Sequence, residues 1–167
     1  GICNYVDDAS LNQIVDNIKT RLTAIGEEKG VRFNILYDNC NADASLLTQI
    51  ISNFQADQAD LLVAVATPVA IAMQAATEES GTPVVFAAVS DPVSAELVAS
   101  LDAPGGNLTG TSDMNPIKEQ IDLLMKIAPN AKTIGCIYTS SEVNSEIQFK
   151  AMKEYAESKG LKVEAAT

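Results

Sequence analysis

Short apolar runs alternate with segments whose apolar residues recur every three or four positions, from one end of the chain to the other. The runs Ile2 to Tyr5, Val31 to Tyr37, Asp60 to Ala66, Pro83 to Val89, Leu108 to Thr111, Thr133 to Tyr138 and Leu161 to Ala165 predict strands. Between the first two, Leu11, Ile14, Val15, Ile18, Leu22 and Ile25 share one helical stripe, and Leu46, Leu47, Ile50, Ile51 and Phe54 form the next. "VAIAMQAAT", Val69 to Thr77, is a helix of small apolar residues, while Ile117, Ile121, Leu124 and Ala128, then Ile147, Ala151 and Tyr155, mark two more. Such alternation predicts an α/β protein with a doubly wound, mainly parallel sheet.

The two ends of the chain share one grammar. Each has an apolar strand closing on a tyrosine (Tyr5, Tyr138), a polar loop, a long helix, a Lys-Gly pair (Lys29-Gly30, Lys159-Gly160) and a new strand. Glycine after a lysine suits a helix C-terminus, where the left-handed cap conformation is required. One α/β unit therefore begins twice, which predicts an N-terminal lobe over 1–108, a hinge crossover over 109–114 and the start of a second lobe over 115–167. A doubly wound lobe needs about five strands. Only two follow Pro116, so the second lobe is expected to be incomplete, and its unpaired strand edges invite dimerisation or domain swapping.

"PGGNLTGTSD", Pro104 to Asp113, lies at the predicted crossover. It follows a helix and opens a strand, the reverse of a phosphate loop, and Asn-Leu-Thr as a glycosylation acceptor lacks a secretory context. The expectation is a turn at Pro104 to Asn107, a crossing strand, and easiest rotation at Gly110, so that Gly110→Val would impair closure more than folding.

In open parallel sheets ligands bind at the carboxyl ends of strands, where helix N-termini converge. There the sequence repeats a cap-proline pattern: Thr67-Pro68, Asp91-Pro92 and Asn115-Pro116, with Ser140 or Ser141 expected to cap a later helix. Such a crevice suits a small zwitterion. Its carboxylate would take helix N-H groups with the Thr67 or Ser141 hydroxyl, its ammonium a carboxylate such as Asp91 or Asp113, with Tyr5 and Tyr138 as flat walls.

Composition narrows the chemistry. The chain has 22 acidic and 11 basic residues, a net charge of −11, which repels nucleic acid and anionic lipid. It has no histidine, which removes Ser-His-Asp and Cys-His catalysis and the commonest zinc ligand. Cys3, Cys40 and Cys136 are widely spaced and read as free thiols, not a metal site. There is no GxGxxG and no GxxxxGK[ST] motif, so no nucleotide cofactor is signalled. Asp7-Asp8 and Asp38 resemble the acidic loops of a phospho-acceptor domain, but the lysine that such a domain needs after a later strand is missing. No enzyme activity, metal or cofactor is expected.

The segments "YVDDASL", "VAVATPVAIAMQAAT", "VVFAAVSDPVSAELV" and "PGGNLTGTSDMNPIKEQIDLLMKIAPNAKTIGCIYTSSEVNS" together resemble the ABC-transporter substrate-binding lipoproteins of the tryptophan/tyrosine-uptake type. The resemblance implies a two-lobed type I periplasmic-binding-protein fold, lipid-anchored on the extracellular face of the membrane or in the periplasm. Its lobes would close on an aromatic amino acid, and the closed form would be delivered to a membrane permease. The family's cleft loops would fall on Tyr5, Val6, Asp7, Thr67, Pro68, Ser90, Asp91, Asp113, Ser140, Ser141 and Asn144, beside the wall expected at Tyr138. A ligand-sensing regulatory domain of the same fold is the alternative.

Overall fold

The structure is a computed structural model describing residues 1–167. Two compact units divide after Asp113: Gly1–Asp113 and Met114–Thr167.

In the first unit the elements run β1 (Ile2–Asn4), α1 (Ala9–Lys29), β2 (Tyr37–Asn39), α2 (Ala44–Ala56), β3 (Leu62–Val65), α3 (Thr67–Thr77), β4 (Val84–Val89) and β5 (Leu108–Ser112). All pairings are parallel, in the order β2-β1-β3-β4-β5. Side chains alternate across the strands, so Ile2, Val63 and Val65 face α1 at Val15, whereas Cys3, Leu62, Ala64 and Phe86 face α2 and α3 at Leu47, Ile51, Val69 and Met73. Helices thus cover both faces of a doubly wound sheet, whose direction of winding reverses between β1 and β3.

α1 begins where Asp8 accepts from the N-H groups of Ser10 and Leu11 and ends at Gly30, φ 64°. Asp43 caps α2 in the same way through Ser45 and Leu46. Gly160 follows α5 with φ 80°, so both Lys-Gly pairs close helices as expected.

The second strand differs from expectation. It occupies Tyr37–Asn39, sharing only Tyr37 with the predicted run. The register sets Tyr37 beside Ile2. Before it, the Leu36 carbonyl accepts from Ile2 N-H at 2.8 Å, and residues 31–36 lie outside the ladder. Val31 and Phe33 are accordingly exposed.

Gly110 is not a free crossover residue. It pairs with Phe86 inside β5, and a Cβ built there would lie 2.1 Å from the Phe86 carbonyl oxygen. Asn107 is equally structural: its Nδ2 donates to Thr77 Oγ1 at 2.9 Å and to the Thr82 carbonyl at 2.7 Å, pinning the loop before β5.

The second unit contains α4 (Ile117–Ile127), β6 (Thr133–Ile137), α5 (Val143–Ser158) and β7 (Lys162–Ala166), with β6 and β7 parallel. Ile117 and Ile121 pack with Ala156 and Leu161. Tyr155 Oη donates to both Asp122 oxygens, at 3.1 and 3.0 Å, and Lys159 Nζ lies 3.0 Å from the same carboxylate, tying α4 to α5. The two-stranded sheet leaves Ile137 88% exposed. The β1-α1-β2 and β6-α5-β7 units are the two copies of the repeated grammar, each strand ending one residue before its tyrosine.

Cys3 and Cys40 are fully buried, whereas Cys136 is half-buried. Burial, reinforced by the neighbouring Cys40 thiol, pushes the Cys3 thiol up to about 12, and burial raises Cys40 as well. Because the thiolate is the reactive form, an aromatic disulfide reagent at pH about 8 should label Cys136 alone in the native protein. Labelling of all three before denaturant is added would contradict this packing.

Candidate binding site at the strand ends

The loops after β1, β3, β4 and β5 lie side by side along the carboxyl edge of the first sheet, and the first two flank its switch point. Tyr5 is half-buried, and its carbonyl accepts from Ala42 N-H at 2.8 Å and Cys40 Sγ at 3.2 Å. The half-buried Val6 turns the chain, its carbonyl accepting from Asp8 N-H at 2.9 Å. Asp7 is exposed, one oxygen held by Asn12 Nδ2 at 2.6 Å.

Across the switch point, the chain leaves β3 through Ala66, at φ 85° and ψ 156°. This region strains any residue with a Cβ, and strain of this kind persists where surrounding structure imposes it, often at functional sites. Ala88 at the end of β4 has φ 54°, where the register of β4 against β5 shifts.

Thr67 is not the cap that its position suggested. It is the first residue of α3 and makes no capping bond, because Ala66 occupies the cap position. Its hydroxyl is buried, the residue 2% exposed, with no hydrogen-bond partner. Pro68, half-buried, is the second helical residue. The first-turn N-H groups of Thr67 and Val69 have no acceptor within the helix, and the helix dipole adds positive potential there. An orphaned hydroxyl and unused N-H groups at one helix N-terminus are donors of the kind that suit an anion.

Ser90 is buried, and its carbonyl accepts from Ser112 Oγ at 2.7 Å. Asp91 caps a turn, but no helix follows. Oδ1 accepts from Val93 and Ser94 N-H, Oδ2 from Ser94 Oγ at 2.7 Å, and the turn ends at Glu96 with φ 58°. Desolvation alone would raise the Asp91 carboxyl, but the Ser94 and Val93 bonds outweigh it and hold it below its ordinary 3.8. A depressed folded value means stability present above 3.8 and lost as pH falls below it. Acid titration of Asp91→Asn should therefore show a shallower loss of stability below about pH 4 than the parent chain. Identical acid limbs would remove this role. Asp113 is exposed after β5, its N-H bonded to the Val89 carbonyl at 3.1 Å.

The other four predicted residues belong to the second unit. Tyr138 is half-buried and stacked on Phe149, centroids 4.1 Å apart and planes within 7°. Desolvation, with the Glu146 carboxylate, raises its phenol above the ordinary value. Ser140 and Ser141 are exposed and lie in the turn before α5. Neither caps it, since Glu142 is the cap residue and Ser145 Oγ accepts from Thr139 N-H instead. Asn144 is half-buried and its Oδ1 is enclosed without a partner. Asn115 does not cap α4 either, because Pro116 holds that position and Asn115 Nδ2 bonds Gln148.

Sequence reasoning missed Ala66, Asn4, Asn12 and Phe149. Only Asn4, one polar residue inside an apolar strand, carried a visible signal.

A family model described as "ABC transporter substrate binding protein" matches residues 1–167. The chain belongs to this family. A tyrosine-binding protein of Clostridioides difficile is 38% identical over 163 residues, 98% of this chain and 47% of the relative. An ABC domain from Streptococcus pneumonia solved in complex with L-Trp is 40% identical with TM-score 0.87, over 99% of this chain and 55% of that one. A conserved domain protein from Vibrio cholerae is 33% identical with TM-score 0.90, over 99% and 55%. The ABC substrate-binding chain described here thus spans about half the length of these relatives, and its fold is that of the type I periplasmic-binding proteins.

Proposed function

We propose that the protein carrying this chain is the solute-capturing component of an ABC importer, outside the cytoplasmic membrane and lipid-anchored there. It holds an aromatic amino acid between two lobes, passes it to a membrane permease, and catalyses no reaction. The observation that carries this reading is the buried, unpartnered Thr67 hydroxyl at the N-terminus of α3, beside the switch point. A buried hydroxyl without a partner is costly, and a ligand carboxylate would satisfy it together with the free N-H groups.

The ammonium needs an anion near the same point. Asp91 already accepts three hydrogen bonds within its own turn, and Asp8 caps α1. Asp7 lies one loop from Thr67 across the switch point, with one oxygen uncommitted to the protein. The names of the relatives, a tyrosine-binding protein and a domain complexed with L-Trp, support an aromatic ligand.

A thermal-denaturation panel of the twenty amino acids on the full-length product of the gene tests the reading. Ligand at 100 times its dissociation constant should stabilise by about 2.7 kcal/mol. Tryptophan, tyrosine or phenylalanine should give the largest shifts. No shift with any of the three refutes it.

A further inference from the structure

Asn4 is fully buried on β1, on the face it shares with Ile2 and turns toward α1. An amide among apolar side chains needs a reason to be there. Its Nδ2 donates to the Val6 carbonyl at 3.1 Å and to Asn12 Oδ1 at 3.0 Å. Asn12, in the first turn of α1, in turn donates Nδ2 to Asp7 Oδ1 at 2.6 Å. The three side chains form a directed relay from the core to the loop that follows β1. Its direction is fixed by chemistry: an ionised carboxylate only accepts, so Asn12 must turn its NH₂ toward Asp7, and its oxygen then faces the Asn4 amide. Asp7 is exposed, so its carboxylate is within reach of a solute.

We propose that Asn12, oriented by Asn4, is a positioning residue that fixes the Asp7 carboxylate for a ligand ammonium group and so sets the preference for amino acids over their deaminated acids. The inference rests on the ligand reading above. With Oδ1 held by Asn12, the second oxygen of Asp7 is left in one orientation, and the ammonium meets an acceptor that needs no reordering. Asn12→Ala frees the carboxylate to rotate, weakening a charge-assisted bond without touching the carboxylate end of the ligand.

Calorimetric titration of the full-length product with L-tyrosine and 3-(4-hydroxyphenyl)propionate, and with L-tryptophan and 3-indolepropionate, separates the possibilities. The unaltered protein should prefer each amino acid by about tenfold or more, the scale of a charge-assisted hydrogen bond. Asp7→Asn should abolish that preference. Asn12→Ala and Asn4→Ala should each remove most of it through weaker amino-acid binding, leaving affinity for the deaminated acids within about twofold, which also shows that the variants fold. An undiminished preference in Asn12→Ala, with the preference lost in Asp7→Asn, overturns the relay and leaves the ligand reading standing. Equal weakening of both ligands in Asn12→Ala marks a merely structural residue and overturns it too. If the unaltered protein binds neither amino acid, or shows no preference, the ligand reading fails and the relay with it.

Discussion

Gly110→Val is expected to unfold the first unit, not to stiffen a hinge. Gly110 sits in β5 opposite Phe86, and any Cβ there would meet the Phe86 carbonyl oxygen at 2.1 Å and its ring at 2.5 Å. The obstacle includes backbone, which cannot swing aside as a flexible side chain can. To admit valine, β5 must part from β4, exposing Leu108 and Val84, both now buried. The expected cost is at least about 3 kcal/mol, at the upper end of overpacking effects. Gly106→Val is the control, because nothing lies within 4 Å of a Cβ there. Urea midpoints of the two variants check this. A Gly110→Val chain as stable as Gly106→Val would return the residue to the role of a hinge.

Thr67→Val should separate stability from binding. The two side chains have nearly the same shape, and the buried threonine hydroxyl has no hydrogen-bond partner in the chain. Exchanging it for a methyl removes an unsatisfied polar group, so the free protein should gain about 1 kcal/mol. If the hydroxyl exists to receive a carboxylate, the same change should weaken amino-acid binding about tenfold. A structural threonine gives the opposite pair of results: lost stability and unchanged affinity. Denaturant titration and binding measured on one preparation distinguish them.

The fold was legible because its periodicities are strong. The stripe from Leu11 to Leu22 and the apolar runs at Leu62–Val65 and Val84–Val89 admit only one assignment each. The second strand was misplaced because the apolar character of Val31 to Tyr37 says nothing about which neighbour will pair with it. Register decides that, and Ile2 beside Tyr37 moves the ladder toward Asn39. The cap-proline pattern marks the chain just after β3, β4 and β5 but not its conformation there. Asp91 caps a single turn, Pro116 replaces Asn115 as cap, and Thr67 moves one residue into its helix because Ala66 adopts a backbone that alanine seldom takes. The adjacency of the strand ends in the first sheet follows from topology alone. Asn12 was invisible, since its role depends on a side-chain bond to Asp7 that no spacing encodes.

The proposed site lies at the switch point between β1 and β3, where the unpartnered Thr67 hydroxyl and the Asp7 carboxylate held by Asn12 belong to neighbouring loops. The decisive measurement is equilibrium titration of the full-length gene product with L-tryptophan and L-tyrosine, against L-leucine and L-serine. Saturable one-to-one binding of an aromatic amino acid is expected, at least about tenfold tighter than the aliphatic and polar ones, a difference of about 1.4 kcal/mol. Equal affinity for all four, or none for any, would contradict it.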